Sequence, residues 1–237
     1  MTSAARAMLL GAVCLTAAAA ACAPKTSSGK SADAKCANAD PVAAAICADP
    51  TLQNLEGEIA SALHRARDLY PNDPDAAQAL EDARAEAVRR RQAAGGEGAI
   101  SLSDALQSER DFLRALAAPR DGFQGRWISP LGDILISAEP DGFGLHAVAA
   151  EPTRGAWVCE VQTPAALIKD TLVAAAGPRG LGDPPLDGWI IEAARRGATL
   201  AVHEIAPRPD EGMSVAVRPY CGMSGGFDGP YFPANSR

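Results

Sequence analysis

Cysteine is the residue type in this sequence with the clearest chemical potential. Six are present, at positions 14, 22, 36, 47, 159 and 221. Thiolates that hold a metal cluster as Cys-x-x-Cys or stand beside histidines, and no such spacing occurs. In an exported protein the expected state is the disulfide. Leaving aside the first two, four cysteines allow three connectivities. Pairing within each region of the chain gives Cys36–Cys47 and Cys159–Cys221, worth roughly 3 and 4 kcal/mol by loop entropy. No cofactor or metal site is expected.

A second run has the outward form of a nucleophile. Gly222-Met223-Ser224-Gly225-Gly226 satisfies Gly-x-Ser-x-Gly and also the Gly-x-Ser-Gly-Gly of trypsin-like proteases. A hydrolase elbow needs a helix after the serine and a histidine later in the chain. Only 13 residues follow Ser224, and none is His. A trypsin-like order would need His146 as base, with too few residues between for two barrels. A glycine-rich exit after Cys221 is the better account. His64, His146 and His203 are scattered, and Gly177–Gly182 lacks the spacing of a phosphate loop. The sequence therefore predicts a protein that is not an enzyme.

The start of the chain is an address. Arg6 is the only charge before Lys25, and residues 7–21 are apolar or small. A membrane span needs about 20 strongly apolar residues, whereas this Ala-rich stretch fits an export signal. Ala19-Ala20-Ala21-Cys22 resembles a bacterial lipobox, with Ala19 where Leu is usual. Cleavage after Ala23 would put Pro24 directly behind the cut, a poor fit to a signal peptidase. Lipidation of Cys22 is thus expected, with residues 1–21 removed, 22–35 as a polar tether and the membrane reached through the lipid. The alternative location is soluble periplasmic or secreted. The net charge of −7 argues against nucleic acid and for a basic partner.

Two sorts of element must position these groups. Residues 36–118 hold two aromatics, Tyr70 and Phe112, while the other nine fall later. The first region is rich in helix formers. Asp40-Pro41, Asp49-Pro50 and Asp73-Pro74 each join an N-cap to proline at the first helical position. Leu52, Leu55, Ile59, Leu63, Ala66 and Tyr70 recur at helical spacing. The helix from Pro74 has a thinner stripe and ends near Gly95, with Arg89-Arg90-Arg91 as a solvated last turn. A further helix runs from about 103 to 117. Beyond residue 122, strands are predicted at 124–129, 133–138, 143–150, 156–162, 169–175, 189–195, 198–205 and 213–220. The expected class is α+β: a small disulfide-linked helical domain at 36–118, then an antiparallel β-barrel or sandwich at 122–237.

Cys36 through Leu55 resembles the N-terminal domain of LprI-type lysozyme inhibitors. Ile46, Cys47, Ala48, Asp49, Pro50, Leu52 and Leu55 stand where that pattern has Ile-Cys-Ala-Asp-Pro-x-Leu-x-x-Leu. Glu56 replaces its usual Asp, and similarity thins out toward residue 118. Tyr220-Cys221-Gly222 with Phe227–Tyr231 is similar to the end of the β-domain that sometimes follows. The resemblance implies a cell-envelope lipoprotein that binds, and inhibits, a lysozyme. The alternative is a structural or assembly lipoprotein for another envelope component. In the first case acidic loops would steer a basic lysozyme, and the loop 207–212 offers Asp210 and Glu211 as contacts.

Overall fold

Each of the three Asp-Pro pairs begins a helix. A computed structural model of the chain describes residues 40–176, 188–207 and 218–235. In it α1 spans Pro41–Ala48, α2 Pro50–Leu69 and α3 Pro74–Ala93. The Asp40, Asp49 and Asp73 side chains accept from the first free N–H groups, and proline follows at once. A fourth helix, α4 (Leu102–Ala115), starts on a capping box in which Ser101 and Asp104 satisfy each other's N–H groups.

Eight strands follow: β1 Gly125–Ile128, β2 Gly132–Glu139, β3 Gly142–Ala150, β4 Val158–Ile168, β5 Thr171–Ala176, β6 Trp189–Arg196, β7 Thr199–Ile205 and β8 Gly229–Pro233. They close into an antiparallel barrel in chain order, β8 pairing with β1 through Trp127↔Pro233 and Ile128↔Phe232. Side chains alternate across the wall. On β4, Cys159, Val161, Thr163 and Ala165 are buried and Glu160, Gln162 and Pro164 point outward. Trp127, Ile134, Leu145, Leu172, Ile191, Leu200, Phe227 and Tyr231 fill the interior, as expected for a barrel of this strand number.

The expected fold class is corrected by this arrangement. The described chain is a closed eight-stranded barrel with four helices, not a disulfide-linked helical domain followed by a barrel or sandwich. The disulfide whose two partners are both described, Cys159–Cys221, lies in the barrel. The physical reason is the helices' core. Their stripes are completed by Ile128, Phe232 and Ala234 of the barrel and Ala198 of its β6–β7 turn. Phe232 packs its ring on Tyr70 and Phe112, with centroids 5.7 and 6.1 Å away. Asp73, already the N-cap of α3, also accepts the Ala198 N–H at 2.5 Å. Gly197 makes that approach possible, because its φ is 53° and a Cβ there would strike the Asp73 carboxylate.

A second correction concerns the last strand. Of the segment 213–220, residues 213–217 lie outside the described residues, and 218–220 form a loop and turn. The eighth strand is instead Gly229–Pro233, whose two prolines disguise it as a loop. Residues 220–222 have another task. They lie along the first half of β4, where Glu160 N–H donates to Tyr220 C=O and Gly222 N–H to Val158 C=O, each at 2.9 Å. The Cys159–Cys221 bridge spans that same pair of residues.

Of the helix-end arginines, Arg89 is solvated as expected, at 66% exposed, whereas Arg90 and Arg91 are not. Arg90 is only 5% exposed and donates to the Pro130 C=O at 2.9 Å. Arg91 joins Glu56 to a buried Glu109. Burial raises the Glu109 pKa, and the nearby Arg91 charge works against that rise. These charges tie helix to helix and to the barrel.

Candidate functional site

Two places on the barrel gather chemistry-bearing side chains. The first is the barrel end where β4, β6 and β8 begin and β7 finishes. Alternation along β7 turns Glu204 toward the interior, and its side chain is 0% exposed. Tyr220 O–H donates to Oε1 and Phe227 N–H to Oε2, both at 2.7 Å. Arg218 Nε stands 3.3 Å from Oε1, and the guanidinium also reaches Asp228 at 3.4 Å. Asp228 in turn accepts the Glu204 N–H at 2.9 Å. Tyr220 stacks on Phe227, and Arg218 lies over the Trp189 ring at 4.9 Å.

Burial is the main cause of a raised Glu204 pKa, with the Tyr220 hydroxyl and Phe227 N–H partly offsetting it. Burial, and then the bond to Glu204, push the Tyr220 phenol well above its ordinary value. Buried, perturbed carboxyls mark functional sites in some proteins and structural networks in others. Here every oxygen of Glu204 has a partner from the segment that covers the barrel end. That is the geometry of a plug.

The second place is outside the barrel. Between α4 and the wall of β1–β3 lies a groove of ≈ 1190 Å³, and a hollow of ≈ 740 Å³ adjoins it over β2–β4. Both are lined by Leu135 and His146, so they form one trough. Register sets its floor in rows across β2, β3 and β4. These are Asp133–Val148–Glu160, Leu135–His146–Gln162 and Ser137–Gly144–Pro164. Polar groups are usual on an outer barrel face, yet Leu135, Val148 and the nearby Val158 are 48%, 36% and 57% exposed. Arg126 is paired with Asp133 at 2.5 Å, and His146 faces Glu160 at 3.4 Å.

Of the residues singled out in the sequence, Cys159 and Cys221 are joined as expected. Cys47 closes α1 and is disulfide-bonded, while Cys22, Cys36, Asp210 and Glu211 lie outside the described residues. Ser224 sits in a turn with φ 69°, and no helix follows before β8. The loop packs tightly instead, since a Cβ on Gly225 would come within 2.7 Å of Cys159 Sγ. His64 and His203 are surface residues whose nearest carboxylates are Asp68 and Asp228. Among the described residues no His, Cys, Asp and Glu cluster has metal-binding form, and no helix is long and apolar enough to cross a membrane.

Sequence reasoning passed over Glu204 and the trough. The only local signal for the trough is alternation: Leu135 and Val148 fall on the polar phase of their strands. Comparisons with protein-family models, curated proteins and solved structures return no match.

Proposed function

We propose that the protein is a cell-envelope lipoprotein, held by lipid at Cys22 and facing the periplasm, that inhibits a lysozyme by binding it without chemistry. The observation that carries this is the filled barrel. Among the described residues, side chains from Trp127 to Tyr231 pack the barrel interior, and an open concave surface lies on the outer wall as the trough. Binding on a rigid outer wall suits a macromolecular partner.

Two further features support a lysozyme as that partner. The segment Cys36–Leu55 resembles the LprI-type inhibitors, and the net charge of −7 complements a basic enzyme. A lysozyme cleft works through two carboxyl groups, so covering it is enough to stop the reaction.

The test is a cell-wall lysis assay with a C-type and a G-type lysozyme and a several-fold excess of purified protein. Slowed lysis, with a complex on gel filtration at low salt, is the expected result. Undiminished lysis by both enzymes and no complex would discard inhibition and leave the role of envelope-assembly lipoprotein.

A further inference from the structure

We propose that the outer face of β2–β4 is a docking surface for an extended, positively charged segment of a protein partner. Leu135, Val148 and Val158 would meet the segment's apolar side chains, and Glu139 and Glu160 its ammonium or guanidinium groups. The inference deepens the binding role above and rests on it.

Charge carries the assignment. The trough is lined by four carboxylates, Asp111, Asp133, Glu139 and Glu160, of which Asp111 is held by Arg110 at 2.8 Å, against two guanidiniums, Arg120 and Arg126. Neither arginine is free to answer the acids of the outer half. Arg126 is committed to Asp133, and Arg120 donates to the Ala234 C=O at 2.6 Å and lies over Trp127. In that half, among the described residues, Glu160 faces His146, and Glu139 folds over Gly144, where a Cβ would collide with its carboxylate. A basic side chain arriving there meets acids with no arginine among the described residues of that hollow.

Shape and stiffness agree with an extended occupant. The exposed aliphatic groups run diagonally from Leu135 to Val148 and on to Val158, with acids at either side. The floor belongs to three fully laddered strands, so little ordering is needed when a partner settles on it. On the helix side, α4 walls the trough with Phe112 and Asp111.

The probe is a fluorescent peptide with a Leu-Val-Leu centre flanked by lysine pairs, compared with the same peptide carrying glutamates, by anisotropy on the full mature protein. The lysine peptide should bind and the glutamate peptide should not, with binding weakening as salt rises. The double variant Glu139→Lys/Glu160→Lys should weaken binding about tenfold or more, and Leu135→Ser should weaken it as well. The control Asp68→Lys/Asp82→Lys, which changes net charge equally on the helices, should leave it unchanged. Amide NMR shifts on the unaltered protein should fall on β2–β4, which guards against a misfolded variant.

Equal binding of both peptides, no binding, or shifts elsewhere would overturn the proposal. A C-type lysozyme added as competitor separates the two conclusions. Peptide bound at β2–β4, with no lysozyme complex formed on gel filtration, would keep the docking surface and discard the lysozyme. Lysozyme bound equally well by the groove variants would keep the inhibitor and discard this surface.

Discussion

Glu204 is the residue at which burial and charge meet most sharply. Its carboxylate accepts from Tyr220 and Phe227 and faces Arg218, so it organises the segment that closes the barrel end. Because burial raises its folded-state pKa, proton binding at Glu204 adds to the stability of the folded protein. That contribution is fully present below the unfolded pKa and is lost as pH rises through the raised folded value. Glu204→Gln, which removes the charge and keeps an acceptor, should therefore gain on the unaltered protein as pH rises above the ordinary Glu value of about 4. Glu204→Ala should instead lose about 2–5 kcal/mol, since buried donors are left unmet at about 1–3 kcal/mol each. Thermal melts across that pH range check both. A Gln variant whose deficit grew with pH would mean that Arg218 outweighs burial.

Two junctions hold the elements together. At the helix–barrel junction, Asp73 caps α3 and binds the β6–β7 turn at once. Asp73→Ala should cost about 2–4 kcal/mol, a lost cap plus an unmet N–H, in urea unfolding. An Asp-Pro pair can be read locally as a helix start, but nothing in it announces the second bond. At the β4 junction, the bridge from Cys159 to Cys221 closes a loop with a sequence separation of 62. Replacing both cysteines with alanine should cost about 4 kcal/mol by loop entropy. Hydrogen exchange at the Glu160 and Gly222 amides should rise more than at the centre of β3. Equal change at both would mean that the bridge supports the whole barrel and not this edge.

At the scale of the whole molecule, a closed barrel has no free sheet edge, so the proposed recognition would fall to its outer face and the helix beside it. The chain's net charge of −7 would favour the approach of a basic protein. Association with a C-type lysozyme should be slower at high ionic strength, since exposed charges are screened beyond about 8–10 Å at physiological salt. The dissociation rate should change much less, because apolar contacts such as Leu135 set it. Stopped-flow fluorescence at several salt concentrations measures both. Ser224→Ala should leave any inhibition untouched, and loss of activity on that change would restore the hydrolase.

What the sequence determined by itself was local. The starts of α1, α2 and α3 follow from a capping carboxylate next to a proline, and the α2 stripe from residue spacing. The first seven strands follow from runs of β-formers broken by turn residues. The pairing of Cys159 with Cys221 was legible because the two lie in one region. The eighth strand was not, since Gly229, Pro230 and Pro233 carry loop chemistry and become a strand only between β7 and β1. The same holds for the core shared by helices and barrel. Phe232 and Ile128 look like ordinary strand residues until closure turns them outward against Tyr70 and Phe112. Glu204 and the trough likewise depend on register and closure. Those bring together residues far apart in the chain, and local propensity carries no information about such contacts.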